Sequence, residues 1–344
     1  VRPALRPALV VAAAAAACVL RAGPPAAAQD APADTPAARE AAESAAVVAA
    51  TKEYERRLGT TLRVARRDPF VVRGDLEQAD LERLAELALA TLEDYTATMR
   101  VTASDVLRPQ RKGETPRVEV FQFRQEKGYL DFLDKVFSRL RDDTVDDRRL
   151  ALMRRQRGFF VLTPRPLVVQ YQGPSELATC ASQVVHKTSH VLVLVHRRAG
   201  AWMPWWFLEG LATRQEMSVL KESRTYCLEI DRPGDYAKPG TPEADEAAKA
   251  RLESHWRRAA REMVESRRHR DLATLAKLSL NELTFDDVVQ SWSVVDWILR
   301  EGRLPAFTIA YKDHRDFAKT CEAALGSAPA GVEVRWTRDV TGAK

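Results

Sequence analysis

His186-Lys187-Thr188-Ser189-His190, followed by Pro204-Trp205-Trp206-Phe207-Leu208-Glu209-Gly210-Leu211-Ala212, is the stretch on which the reading of this chain turns. Two histidines four residues apart share one face of a helix, where their rings can grip a single metal ion. Stepping residues 175–198 at about 100° per residue brings Leu177, Ala181, Val184, Thr188, Val191 and Val195 within about 80° of one another, which predicts a buried stripe. His186 and His190 fall roughly opposite that stripe, about 40° apart, with Gln183 and Val193 as neighbours. A pair of this spacing is common in proteins without a metal, so the second segment carries the weight. Gly200 can end the first helix, Pro204 suits the first turn of the next, and the short Ala201-Trp202-Met203 connection folds the second helix back. Glu209 then stands 19 residues after His190, in reach as a third ligand. Two histidines and one glutamate leave a fourth position for water, the layout of a catalytic rather than a structural zinc site.

Upstream, Phe70-Val71-Val72 and Val118 to Phe123 read as strands, the second apolar on both faces and therefore internal. Between them Leu81, Leu84, Ala88, Leu92, Tyr95 and Met99 recur at three- and four-residue steps, an amphipathic helix that Asp75 can cap. A helix over about 127–140 comes next, then a charged loop or helix end at 141–149. Phe159 to Leu162 and Leu167 to Tyr171, split by Thr163-Pro164-Arg165-Pro166, form a hairpin signal. After Gly173-Pro174 the pattern is helical, with a loop at 232–245 and further helices at about 244–268, 271–279, 285–301 and 313–325. The expected class is α+β: an α/β half over 60–173 and a helical half over 174–344 sharing one core, preceded at 29–59 by an Ala/Pro-rich leader and a helix from about Ala37 to Leu58.

The residues now carry a resemblance. His-x-x-x-His followed by Pro-x-Trp-Phe-Leu-Glu-Gly-Leu-Ala resembles the gluzincin group of zinc peptidases, and among them the peptidase-MA-like families of exported bacterial proteins. Those families carry His-Glu-x-x-His and then Pro-x-Trp-x-x-Glu-Gly-Leu-Ala. The likeness takes in the strand–helix–strand region and the Gln290-Ser291-Trp292 helix, roughly residues 66–340. It implies a zincin-like fold with His186, His190 and Glu209 as zinc ligands. It also places Lys187 where the general-base glutamate belongs. That glutamate takes a proton from the water and passes it to the leaving amine. A protonated lysine does neither, and an ammonium beside a divalent cation weakens metal binding. Val288 stands where the family often has a tyrosine, two residues before its Gln-Ser-Trp-like segment; Tyr226 and Tyr236 have no assigned role.

Composition fits these expectations. With 45% hydrophobic and 29% charged residues, the 344-residue chain is expected to be soluble and globular. Arg2 and Arg6, the apolar run Ala8 to Leu20 and Ala26-Ala27-Ala28 have the form of a secretory signal peptide over 1–28, an N-terminal anchor being the alternative. Its removal takes away three arginines and no acids, so the formal charge falls from +5 to +2. The expected location is periplasmic or extracellular, with lipidation at Cys18 as a weaker route and no stable membrane span after cleavage. No basic stripe or recognition motif points to nucleic acid. Cys180, Cys227 and Cys321 permit one disulfide, whose pairing the spacing leaves open, and none has zinc-ribbon spacing.

Other candidates are blander. Trp202, Trp205 and Trp206 form either a substrate wall or helix packing. Glu216, seven residues after Glu209, reads as a surface charge or a partner of Lys187. His196, His255, His269 and His314 lack ligand spacing to the pair, Ser182 and Ser189 have no triad geometry, and there is no Gly-x-Ser-x-Gly, Walker or Rossmann pattern. Three functions remain: an exported peptidase relative with impaired chemistry that retains zinc or binds a peptide or protein ligand; an active zinc peptidase with an unconventional base; and a structural or interaction protein with a vestigial site.

Overall fold

A computed structural model describes residues 35–108, 116–140, 145–163, 165–173, 177–197, 203–225, 242 and 248–343. The chain divides into a unit over Val1–Ala46 and a larger one over Val47–Lys344. The described residues of the first are the opening turns of helix α1 (Pro36–Leu58). The expected signal segment, Cys18, Gly200, Trp202, Tyr226, Cys227, Tyr236 and nearly all of the expected loop at 232–245 lie outside the described residues.

In the larger unit, five strands form one mixed sheet: β1 (Arg63–Arg67), β2 (Phe70–Gly74), β3 (Val118–Phe123), β4 (Gly158–Val161) and β5 (Leu167–Tyr171), in the order β1-β2-β3-β5-β4. The central three run parallel, and β1 and β4 pair antiparallel on the two edges. As the apolar run Val118 to Phe123 predicts, β3 is central and wholly buried. Alternation along the strands sorts side chains to two layers. Phe70, Val72, Val118, Val120 and Val168 face α2 (Gln78–Met99) and the helical half, whereas Phe121, Phe123, Phe159 and Val169 face α3 (Glu126–Phe132) and the end of α1. Helix α3 continues as a π turn over Leu133–Phe137.

The second layer encloses an ion pair. Arg73 Nη1 donates to Glu119 Oε1 at 2.8 Å and its Nε to Thr51 Oγ1 at 2.9 Å, while Tyr54 Oη donates to Glu119 Oε2 at 3.3 Å. Arg165 closes on the same carboxylate at 3.0 Å. The buried charge is therefore matched and hydrogen-bonded, which such a pair requires.

The helical half contains α4 (Leu177–Val195), α5 (Trp205–Leu220), α6 (Glu253–Glu265), α7 (Phe285–Arg300), α8 (Leu304–His314) and α9 (Pro329–Thr341). The reading from 174 onward anticipates α4 to α7 and misses α8 and α9. Strand β1 is also missed, because Arg63, Arg66 and Arg67 give Arg-Val-Ala-Arg-Arg the look of a charged loop; charge of this kind is typical of an edge strand. Within the stretch read as a charged loop or helix end, residues 141–144 lie outside the described residues and a helix begins at Asp147 and runs to Met153, with Asp146 capping it by accepting from the Arg149 N–H. No helix among the described residues is long and apolar enough to cross a membrane. Cys180 and Cys321 are buried and free, and burial pushes each thiol up to about 12.

Candidate metal centre

The burial of α4 differs from the one-sided expectation. The stripe from Ala181 to Val195 is enclosed, and so is the opposite face with His186 and His190, because α2, α5, β4 and β5 surround the helix. A helix covered on all sides places its polar groups where each needs a partner. Helix α5 crosses α4 as the Pro204 turn predicts: Pro204 is the residue before the first turn, and the Phe207 and Leu208 N–H groups donate to its carbonyl. On its far side α5 meets α7 so closely that a Cβ on Gly210 would stand 2.5 Å from the Ser291 carbonyl oxygen. Glycine is therefore required beside Glu209 by backbone contact. Helix α2 anchors α5 as well: Gln215 Nε2 donates to the Thr91 carbonyl at 3.0 Å, and Ser218 Oγ donates to Asp94.

This packing brings the three expected ligands together. His186 Nε2 lies 3.3 Å from Glu209 Oε2, and His190 Nε2 lies 3.3 Å from Glu209 Oε1. One donor atom from each of the three residues falls within 4.8 Å of the others, a group that could hold a metal ion. The two imidazoles stand edge to face, with centroids 4.7 Å apart. All three side chains are fully enclosed. Burial acts to raise the Glu209 carboxyl, but His186 and His190 outweigh it and hold the group well below the usual carboxylate range.

Glu216 departs most from the sequence reading. It is neither a surface charge nor the partner of Lys187: it is fully buried, and its Oε1 lies 2.6 Å from His186 Nδ1. Its Oε2 accepts from Ser182 Oγ, from the Arg224 N–H at 2.9 Å and from the Thr225 N–H at 3.2 Å. With the carboxylate accepting at Nδ1, His186 carries a proton on that nitrogen and turns its Nε2 to Glu209. A carboxylate behind a metal-binding histidine fixes ring and tautomer in this way. The signal was available in the sequence: Glu209 and Glu216 are two helical turns apart on one face of α5.

Lys187 is buried on α4, two turns beyond Cys180, and close enough for its charge to act on that thiol. Trp206 is wholly buried, while Trp205 stays half-buried with its ring perpendicular to His190 at 6.5 Å. Phe160 of β4 flanks the same histidine at 5.1 Å, a neighbour the sequence reading did not identify. Val288 is packed with Trp256, Met217 and Trp292 in an apolar cluster between α5, α6 and α7. His196 is engaged elsewhere, with Tyr95 Oη 3.0 Å from its Nδ1. No family model matches the chain, and no curated protein matches it.

Proposed function

We propose that this chain is an exported, zincin-like relative of the gluzincin peptidases, in which His186, His190 and Glu209 hold zinc and peptide hydrolysis is impaired because Lys187 stands in the place of the general base. The observation that carries the reading is the buried triad with Glu216 behind it. His186 Nε2 lies 3.3 Å from Oε2 of Glu209 and His190 Nε2 lies 3.3 Å from its Oε1, and one donor atom from each of the three residues lies within 4.8 Å of the others, close enough to share one ion. The donor set of two imidazole nitrogens and a carboxylate oxygen also suits zinc. When bound, zinc supplies Lewis-acid polarisation of a carbonyl and a more acidic water.

The protein's own groups decide whether hydrolysis can proceed. Glu216 orients His186 and keeps its Nε2 available. The other carboxylate on the triad is Glu209 itself, and it is occupied as a ligand. Glu216 lies on the Nδ1 side of the imidazole with four donors converging on it, so it is poorly placed to take a proton on the Nε2 side. This favours impaired chemistry over a substitute carboxylate base. Peptide binding has separate support. Strand β4 is a sheet edge beside His190, and a sheet edge can accept an extended peptide through main-chain hydrogen bonds.

The test combines elemental analysis of the protein prepared in zinc-containing medium with a peptidase assay and the substitution Lys187→Glu. One zinc per chain, lost in His186→Ala, and negligible cleavage until Lys187→Glu restores a base are the expected results. Robust chelator-sensitive cleavage by the native chain would overturn the impaired-chemistry reading, and absence of zinc would overturn the metal assignment.

A further inference from the structure

Away from the metal centre, three arginines converge on one buried carboxylate. Arg214 stands five residues after Glu209, which at 3.6 residues per turn is about 140° around α5. It shares the face of Gly210, one turn earlier, and so meets α7, where Asp296 is buried. Arg257 of α6 at 3.2 Å and Arg300 of α7 at 3.1 Å both reach Asp296 Oδ2. Each of these two has a second carboxylate of its own. Arg257 donates through Nε and Nη2 to Glu253, one turn before it on α6, and its guanidinium lies 5.6 Å from the centroid of the Trp292 ring. Arg300 donates through Nη1 and Nη2 to Asp339 of α9 at 3.0 and 2.6 Å.

Arg214 has no such partner. Its Nε lies 3.6 Å from Asp296 Oδ1, beyond hydrogen-bond reach. Among the described residues its guanidinium makes no hydrogen bond, although only 23% of the side chain is exposed. A cation withdrawn this far from water normally has its N–H groups matched to acceptors. With Asp296 on the Nε side, Nη1 and Nη2 of Arg214 stay uncommitted, and Nη1 of Arg257, on the same carboxylate, stays uncommitted too. The terminal nitrogens of Arg214 are not sealed from solvent, so a small solute can reach them.

We propose that Arg214, with Nη1 of Arg257, forms a binding site for an oxyanion, a carboxylate or a phosphate group. The fixed fork of a guanidinium matches paired oxygens of either group. Asp296, Glu253 and Asp339 formally balance the three guanidiniums, so the site selects by hydrogen-bond geometry and not by an excess of positive charge. The proposal is independent of the metal assignment.

The test is isothermal titration calorimetry of the full chain with inorganic phosphate and, separately, with acetate, each against sodium chloride at matched ionic strength. At least one of the two is expected to bind saturably at one site per chain. Saturation by phosphate alone identifies a phosphate site, and saturation by acetate alone a carboxylate site. Arg214→Gln should abolish binding. Arg214→Lys keeps the charge beside Asp296 but loses the fork, and should weaken binding by about tenfold or more, the loss of one charge-assisted hydrogen bond. Arg267→Gln, at an exposed arginine, should leave affinity unchanged, and so should His186→Ala, which separates this site from anion capture by a bound metal. Melting in sodium chloride followed by circular dichroism establishes that each variant is folded. A purely structural Arg214 predicts a lower melting temperature in Arg214→Gln and no saturable anion binding by the native chain. That result, undiminished affinity in Arg214→Lys, or loss of binding in His186→Ala would overturn the proposal.

Discussion

Gly210→Ala is the substitution whose outcome the geometry constrains most tightly. In a helix interior the change normally stabilises, by about 1 kcal/mol, because alanine loses less backbone entropy than glycine. Here the new Cβ would lie 2.5 Å from the Ser291 carbonyl oxygen, 2.7 Å from the carbonyl carbon and 3.0 Å from Val295 Cγ2. Ordinary contact begins near 3.4 Å. Two of the three atoms belong to the backbone of α7, so no rotamer change clears them, and α5 and α7 have to part by about 1 Å. Overpacking of this kind costs about 1–3 kcal/mol. Set against the helix-propensity gain, the expected result is a net loss of about 1 kcal/mol, rising to about 2 if the helices cannot part.

Urea unfolding followed by circular dichroism reads this as a lower midpoint at an unchanged slope. The melting temperature should fall by a few degrees, at about 2–4 °C per kcal/mol for a domain of this size. Gly331→Ala in α9 is the matched control. Its Cβ would meet the Ser327 Oγ at 2.1 Å, but that hydroxyl can rotate away. It should therefore leave stability unchanged or raise it. A Gly210→Ala protein as stable as the native chain would refute the close α5–α7 contact and, with it, the account of why glycine follows Glu209.

Glu216→Gln leaves one acceptor oxygen for four donors; the three donors on Oε2 hold it, which turns the amide NH2 towards His186 Nδ1, and zinc binding should weaken by about 10–100-fold in competition with a chromophoric chelator, the usual loss on removing such a support; undiminished affinity would deprive Glu216 of its positioning role. Arg73→Met leaves buried Glu119 with only Arg165 and Tyr54 and should cost about 3 kcal/mol in urea unfolding, most of it recovered in the double variant with Glu119→Leu, whereas equal losses in single and double variants would contradict the pairing. Burial, then Lys312 and Arg197, pushes His196 down to about 4, with Asp105 opposing and Tyr95 on its Nδ1. The unfolded chain then binds more protons than the folded one between about pH 6.5 and 4, so stability falls across that window as pH drops, by up to about 3 kcal/mol from this group. His196→Phe should flatten the decline relative to the native chain, and parallel pH profiles would exclude His196 as its source.

The sequence reading reached furthest where one local pattern had one physical solution. Residues 118–123 are apolar on both faces and had to be an internal strand; the histidines and Glu209 needed only two packed helices to meet, and Pro204 marks the start of the second. It failed where burial came from elements distant in sequence. Glu216 looks like a solvated charge on α5 because nothing local shows that Ser182 and the Arg224–Thr225 backbone close over it. Phe160 could not be set beside His190 until the strand order placed β4 at the edge next to α4. The missed α9 was legible after all: Pro329 starts it and Gly342 ends it in the left-handed region, the usual asymmetry of helix ends.

Lys187 also bears on the formal charge of the proposed site. Counted formally, Glu209 and Glu216 bring two negative charges into a fully enclosed cluster, a costly arrangement unless positive charge accompanies them. With a glutamate at 187 the count would be three, and an empty site would need two or more protons on its histidines to approach neutrality. On the reading proposed above, Lys187, enclosed on the same helix one residue from His186, would reduce the formal count to one. A divalent ion overshoots in this chain, whereas it would leave a net negative charge in the glutamate version. On that reading, lysine in place of a glutamate at 187 lowers the electrostatic cost of an empty site and raises that of a filled one. The helices, the triad and Glu216 behind it would then hold together without depending on metal for stability.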